Sequence, residues 1–557
     1  MGICIHLAIA RSVTREEWKA VYEESLKMVK AFPLAERRKI KIDGIDTICL
    51  VKTEEQEETY GWYHEHTRVG WNADGDYESM KTAENYYLDN NIIKDEEYME
   101  HCEDAIFKLL PAFLDYSWED KRFDQIYDIW GSKTQGEPYH MYLLSIACMI
   151  ESRLGKKAFV YGDITAGQCL YAVRLANCVL DRQIEVPVSC DPVRLSERVN
   201  SLPVTEKEKI IMFESLYLGN RGVEFGKMLR DGFSADALNL YWENRFSQYR
   251  MQQRGFQEFF HDYLSWGFDL VSMCKYVKFE NEEDPLKYQT FVNMVMDAKL
   301  HLMEKDCSDP LKIDQTNPIP YSVHTYFAQV MFAGAENKKV DRYIPIEEIR
   351  KALIEGLGDR CDVNGIIDQY LDRESKQQEI DITKLSTEEE YKEACEQDAS
   401  ALFKQYMDKN TEQMQKEWEA YDIAKYEQLL SYESGNTMHP GLMKSLNRNF
   451  AVYSSALMEK HYKDLMKKSA DRRCEFLIEQ NQFILIRDKD WKKIFEDIRK
   501  NEDAFARYYP MVRVRLDNSG LEYLVKGIIL NDDLYRYCTE LAGKYETDRS
   551  NTEDDMG

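Results

Sequence analysis

Hydrophobic and polar positions change rhythm three times along this chain. Ile3 to Ile9 is an apolar run of strand length, followed by a helix-start signature in Ser12-Val13-Thr14-Arg15-Glu16-Glu17. Thr14 is the cap, and Glu17, three residues on, is its capping-box partner. Trp18, Val21, Tyr22, Leu26 and Val29 then recur at helical spacing until Pro33 ends the element. From Lys39 to Val51 the period falls to two around Asp43-Gly44, which predicts a tight hairpin. Gly61 to Tyr77, rich in Gly, Trp, His and Asp, reads as an ordered loop.

Helical periodicity dominates from about residue 95 to 480, with amphipathic segments at 100–115, 139–154, 166–180, 205–218, 235–249 and 287–305. Residues 157–165 form an apolar patch that is either a short strand or a loop, and Pro310 to Pro320 is a loop with three prolines. Two long helical stretches, 387–432 and 442–479, flank the break Ser434-Gly435 to Pro440-Gly441, the pattern of an antiparallel helical hairpin. Near the C-terminus, Phe483 to Ile486 reads as a strand and Asp488 to about Arg507 as a helix stopped by Pro510. Met511–Leu516 and Leu521–Leu530 read as a second hairpin, with a last helix from Asp532 to Tyr545.

The expected fold is therefore α+β and predominantly α-helical, a central helical region flanked by small strand-helix-hairpin (βαββ) units at both ends. The boundaries that follow are 1–95 for an N-terminal α+β unit, 96–385 for a central helical domain and 386–480 for the helical hairpin. Residues 481–546 form the C-terminal βαββα unit and 547–557 an acidic tail. Both end helices open on an acidic-Trp-Lys step, at Trp18 and Trp491, and an aromatic-Pro pair precedes each hairpin, Phe32-Pro33 and Tyr509-Pro510. Two related units would explain this, as would coincidence.

Composition narrows the function classes. With 73 Lys and Arg against 100 Asp and Glu, the net charge is −27, and the mean field opposes a nucleic acid or an anionic membrane surface. The 13 cysteines are scattered without a Cys-x-x-Cys pair, as expected of buried thiols in a reducing compartment, which favours the cytoplasm. The apolar N-terminus lacks a basic start and ends at Arg11, unlike a secretory signal, and position 6 is His where a myristoylation signal has Ser or Thr. No apolar run approaches the roughly 18–20 residues of a membrane span.

Several constellations could carry chemistry. Asp297, His301 and Glu304 would fall within about 60° of one helix face, the arrangement of a bundle metal site. A solvated face with Asp–His and His–Glu contacts explains the same spacing. His261-Asp262 resembles the paired ligands of helical metal phosphohydrolases, which need further His and Asp such as His301, His324 and Asp341. His64 and His66 would point to one side of an extended strand, where zinc could be held with His6 as a third ligand. Gly219 to Met228 fails as a phosphate loop, because its glycine spacing is short and Met228 replaces the hydroxyl that would hold magnesium. Asp163, Thr165 and Gly167 link a possible strand to a helix, where backbone amides could take an anion or the side chains could simply cap the helix.

No cofactor is strongly implied. The richness in Tyr, Phe and Trp, 36, 23 and 9 residues, tilts the reading toward protein contacts. The leading expectation is a cytoplasmic multi-domain protein acting through other proteins or through self-association. A metal-dependent phosphohydrolase using His261, Asp262, Asp297 and His301 is the alternative, and a ligand-sensing regulator or defence factor is a third.

Overall fold

The computed structural model describes residues 2–60, 66–92, 104–109, 126–279, 285–305, 307, 313–321, 339–376, 429–438, 440–481, 483–515 and 519–541. Helix predominates and sheets are present, so the fold is mixed α+β. Among the described residues no helix is long and apolar enough to cross a membrane. The chain divides into two compact units, one of residues 1–32, 54–71 and 83–405, the other of residues 33–53, 72–82 and 406–557.

In the first unit, strand β1 (Ile5–Ala10) is the centre of a three-stranded antiparallel sheet whose other strands come from far along the chain. The helix Arg15–Ala31 follows β1 and starts with both halves of the expected box, Glu17 N–H donating to Thr14 Oγ1 and Thr14 N–H to Glu17 Oε2. Burying Trp18, Val21, Tyr22, Met28 and Val29 on one face fixes this helix, and Trp18 Nε1 donates to the Asp89 carbonyl.

The second unit holds the hairpin of β2 (Leu34–Ile42) and β3 (Ile45–Lys52), paired in full register from Ala35–Lys52 to Ile42–Ile45. Asp43 (φ +49) and Gly44 (φ +88) both take the left-handed conformation that a two-residue hairpin turn requires.

β4 (Gln56–Tyr60) pairs with the first half of β5 (His66–Asp76) in the first unit, while the end of β5 pairs with Leu34 and Ala35 in the second. β5 is a strand where the composition suggests a loop. Its glycines serve close approach rather than turning: a Cβ on Gly70 would lie 2.2 Å from the Leu88 carbonyl oxygen, and one on Gly75 2.5 Å from that of Lys81. β6 (Thr82–Asp89) follows.

β7 (Ile126–Trp130) and β8 (Ala158–Gly162) complete the three-stranded sheet, so the ambiguous apolar patch at 157–165 is a strand. The fully buried Glu151 ties β8 down, accepting from Val160 N–H and Val188 N–H at 2.7 Å each. Beyond it, helices from Pro192 to Lys376 enclose an aromatic core around Phe213, Phe225, Trp242, Tyr263 and Trp266. Gly222 is the N-cap of the helix Val223–Gly232, in keeping with a loop between helices at the rejected phosphate motif.

The C-terminal residues of the second unit depart from expectation. Residues 483–487 contribute one parallel bridge, Leu50 N–H donating to the Ile486 carbonyl at 3.0 Å. The helix Asp488–Lys500 buries Trp491, Ile494, Phe495 and Ile498 as its periodicity predicts. No second hairpin follows: Ala504–Tyr508 and Tyr509–Arg513 are short helical turns, and Ser519–Leu530 is a helix. Leu521 and Tyr523 to Ile529 are buried, so this helix is enclosed all round and carries no amphipathic period to betray it. The two chain ends therefore do not share one order of elements. Of the expected helical hairpin, residues 377–428 lie outside the described residues, and the second arm is three helices, Pro440–Ala456, Lys460–Leu465 and Ala470–Gln480.

Candidate functional site

The strongest cluster of ionisable groups surrounds the end of the helix Pro285–Asp297. Tyr288, Phe291, Val292, Val295 and Met296 bury this helix in the aromatic core, which leaves Asp297 at its last position. The helix does not run on to 305. Lys299 takes φ +55, a left-handed conformation costly for a residue with a Cβ. The chain turns there and pairs with a later segment, Val340 N–H donating to the Ala298 carbonyl (3.0 Å) and Ile344 N–H to that of Leu300 (2.8 Å). Asp297, His301 and Glu304 thus do not share a helical face, and Glu304 is exposed.

The helix Val363–Lys376 brings Tyr370 and Glu374, four positions apart, to the same place. The Tyr370 hydroxyl donates to Asp297 Oδ1 (2.8 Å), and Lys299 Nζ donates to the Tyr370 oxygen (2.7 Å) and Glu374 Oε1 (2.5 Å). His301 Nε2 lies 3.4 Å from Glu374 Oε2, close enough for an ion pair but without hydrogen-bond alignment. Burial raises the Asp297 carboxyl, against the opposing pull of Tyr370 and Lys299. Burial lowers the His301 imidazole, and Glu374 works against that shift. For Glu374 burial acts upward, but Lys299 and His301 together hold the carboxyl below its ordinary value. The result is a hydrogen-bonded series, Asp297–Tyr370–Lys299–Glu374, with His301 beside its Glu374 end.

Of the sequence candidates, Asp297 and His301 join this network and Glu304 does not. His261 and Asp262 sit on the helix Arg254–Ser265, where Asp262 Oδ2 is 3.9 Å from Arg245 Nη1. The Arg245 guanidinium also meets Glu214 and covers the Phe259 ring at 4.3 Å. His66 is exposed on β5, His6 stacks on Tyr161 at 4.7 Å, and His64 and His324 lie outside the described residues. Among the described residues no three His, Cys, Asp or Glu side chains converge as a metal site would require.

Asp163, Thr165 and Gly167 are at the start of the helix Ala166–Asn177. Thr165 and Gln168 form a complete capping box, and Asp163 Oδ2 accepts from Cys4 N–H at 2.9 Å. The Gly167 amide, the donor an anion would use, donates to the Gln315 carbonyl at 2.7 Å. Lys299, Tyr370 and Glu374 were missed. The four-residue spacing of Tyr370 and Glu374 was visible, but nothing in the sequence around Lys299 announces a turn.

No protein-family model matches this chain, and neither a curated protein nor a solved structure matches it.

Proposed function

We propose that this protein acts through contacts with other proteins, as a subunit, adaptor or self-associating component. One observation carries the reading: the two segments paired beside the polar network carry large side chains outward. Met303 is 78% exposed and Tyr343 49%, and Leu302 adds a third apolar group. Lys305 Nζ donates to the Arg342 carbonyl at 2.7 Å, which holds the two segments together at this point. Met and Tyr are residue types that interfaces favour, because each brings large area at small ordering cost. The described cysteines are free thiols, in keeping with a cytoplasmic setting.

A photo-crosslinking residue placed at Met303 is expected to give one discrete adduct, either twice the chain mass or the chain plus one partner. The same group at the exposed Lys376 should give none. A ladder of adducts common to both positions, or no adduct at either, removes the reading.

A second reading, an enzyme of the metal-dependent phosphohydrolase class, draws on Asp297 and His301 lying at the two ends of the series Tyr370–Lys299–Glu374 and on Lys299 being held in a costly conformation. Metal analysis of the purified protein tests it. Stoichiometric divalent metal that is lost on His301→Ala would place this reading first.

A further inference from the structure

Asn364-Gly365 is the only Asn-Gly step in the chain. It lies in the first turn of the helix Val363–Lys376, where Asn364 and the preceding Asp362 are both exposed. An asparagine before glycine is chemically labile. Its own side-chain carbon can be attacked by the next main-chain nitrogen, and glycine has no Cβ to hinder that approach.

Both reactants have a helper in contact. Gly365 N–H has no main-chain partner, as expected of a first-turn amide, and donates instead to Asp362 Oδ1 at 3.0 Å. A carboxylate at that distance can take the proton that the nitrogen must lose. On the other side, Arg350 Nη1 donates to Asn364 Oδ1 at 3.3 Å, the oxygen on which negative charge develops during attack. Arg350 belongs to the helix Ile346–Leu357, lies 3.4 Å through Nη1 from the Asn364 carbonyl, and is paired through Nη2 with Asp368.

The same contacts hold the turn at rest, with Asp362 acting as its cap. Attack needs the Asn364–Gly365 peptide to rotate out of the helix, and the end of a helix is where it opens most readily.

We infer that Asn364 is a site of spontaneous deamidation, with Asp362 as the base and Arg350 as the group that stabilises the charged oxygen. The Gly365 nitrogen bonds to Asn364 Cγ, its proton passes by way of Asp362 to the departing amide nitrogen, and ammonia leaves. A cyclic imide remains. Water then adds to one of its two carbonyls and breaks the bond from that carbon to nitrogen, leaving either aspartate or isoaspartate at position 364. The surroundings favour the aspartate product: a carboxylate in a first turn suits the helix dipole, and Arg350 would then join two carboxylates, at 364 and 368. This site is independent of the protein-binding reading.

The test is incubation of the full chain near neutral pH, followed by trypsin digestion, which releases residues 361–373 as one peptide. By mass spectrometry that peptide should gain about 1 Da before any other asparagine-containing peptide does. Asp362→Ser keeps a capping oxygen but removes the base, and it should slow the gain at least about threefold. Arg350→Gln should slow it to a similar degree. No gain, an earlier gain elsewhere, or faster conversion in Asp362→Ser overturns the inference, the last because Asp362 would then restrain the turn rather than promote attack. Asn364→Asp reads the product directly. Its thermal midpoint should lie about 1 °C above that of the unaltered chain, and a lower midpoint would show that Arg350 does not receive the new carboxylate.

Discussion

The hairpin Leu34–Lys52 and the helix Ser519–Leu530 are both short segments of the second unit, yet only the hairpin can be read from sequence. The hairpin is specified locally. Asp43 and Gly44 accept positive φ, and the flanking residues alternate, so that Cys49 is buried while Ile48, its neighbour, is 62% exposed. The helix is specified by its surroundings. Apart from Glu522 and Lys526 its interior is apolar, a pattern that a buried strand shares, and the helices around it decide the outcome. One local signal pointed the right way: Glu522 and Lys526, four apart, form an ion pair of 2.7 Å that a strand would hold too far apart to make.

The largest effects should separate the two regions by adjacent substitutions. Leu524→Lys and Val525→Lys are each expected to cost roughly 3–5 kcal/mol, since both positions are buried in the helix and either change buries an unpaired charge. In urea unfolding, tolerance of one of the pair would restore a strand with alternating faces. In the hairpin the same test should be asymmetric, with Cys49→Lys comparably damaging and Ile48→Lys within about 0.5 kcal/mol of neutral.

A smaller effect probes the ion pair. Lys526 is buried, with Nζ paired to Glu522 and 3.3 Å from the Met80 carbonyl. Glu522→Ala strands that ammonium and should cost about 2 kcal/mol, whereas the double change Glu522→Ala with Lys526→Met should recover most of it. A double variant no better than the single would show that the pair does not act as a unit. Smaller again, Gly44→Ala should cost about 1 kcal/mol through its left-handed backbone alone, because nothing lies within 4 Å of the added methyl. A neutral result in thermal unfolding would mean that the turn does not fix the hairpin.

The same division explains how much of the candidate site was legible. The capping box Thr14–Glu17 was, and so was the cap at Thr165, because a cap acts on amides two or three residues on and leaves little choice of geometry. Asp297 and His301 could be named as residues but not as an arrangement. The helix that would have aligned them stops at Asp297, and the chain turns at Lys299, which has neither the freedom of glycine nor the local hydrogen bonding of asparagine to mark a left-handed turn. What holds Lys299 there is distant in sequence: the Val340 and Ile344 amides, Tyr370 and Glu374. The loop expected over Gly61–Tyr77, whose residues 61–65 lie outside the described residues, fails for a related reason, since Gly70 and Gly75 answer to neighbouring segments rather than to their own turns.

The smallest effect is the one that tests whether the site depends on those distant residues. His301 is held below its ordinary value mainly by burial, and Glu374 opposes that shift. Removing the charge with Glu374→Gln should therefore lower the His301 titration midpoint further, read from the imidazole Cε1–H signal by NMR. The sign matters. An imidazole depressed in the folded state favours folding above its unfolded value near 6.5 and loses that contribution as pH falls through the folded value. The neutral form of His301 is thus the one the fold selects, and Glu374→Gln should extend it to more acid pH. A midpoint that rises, or stays where it was, would mean that Glu374 does not act on His301. The series that starts at Asp297 would then end at Glu374.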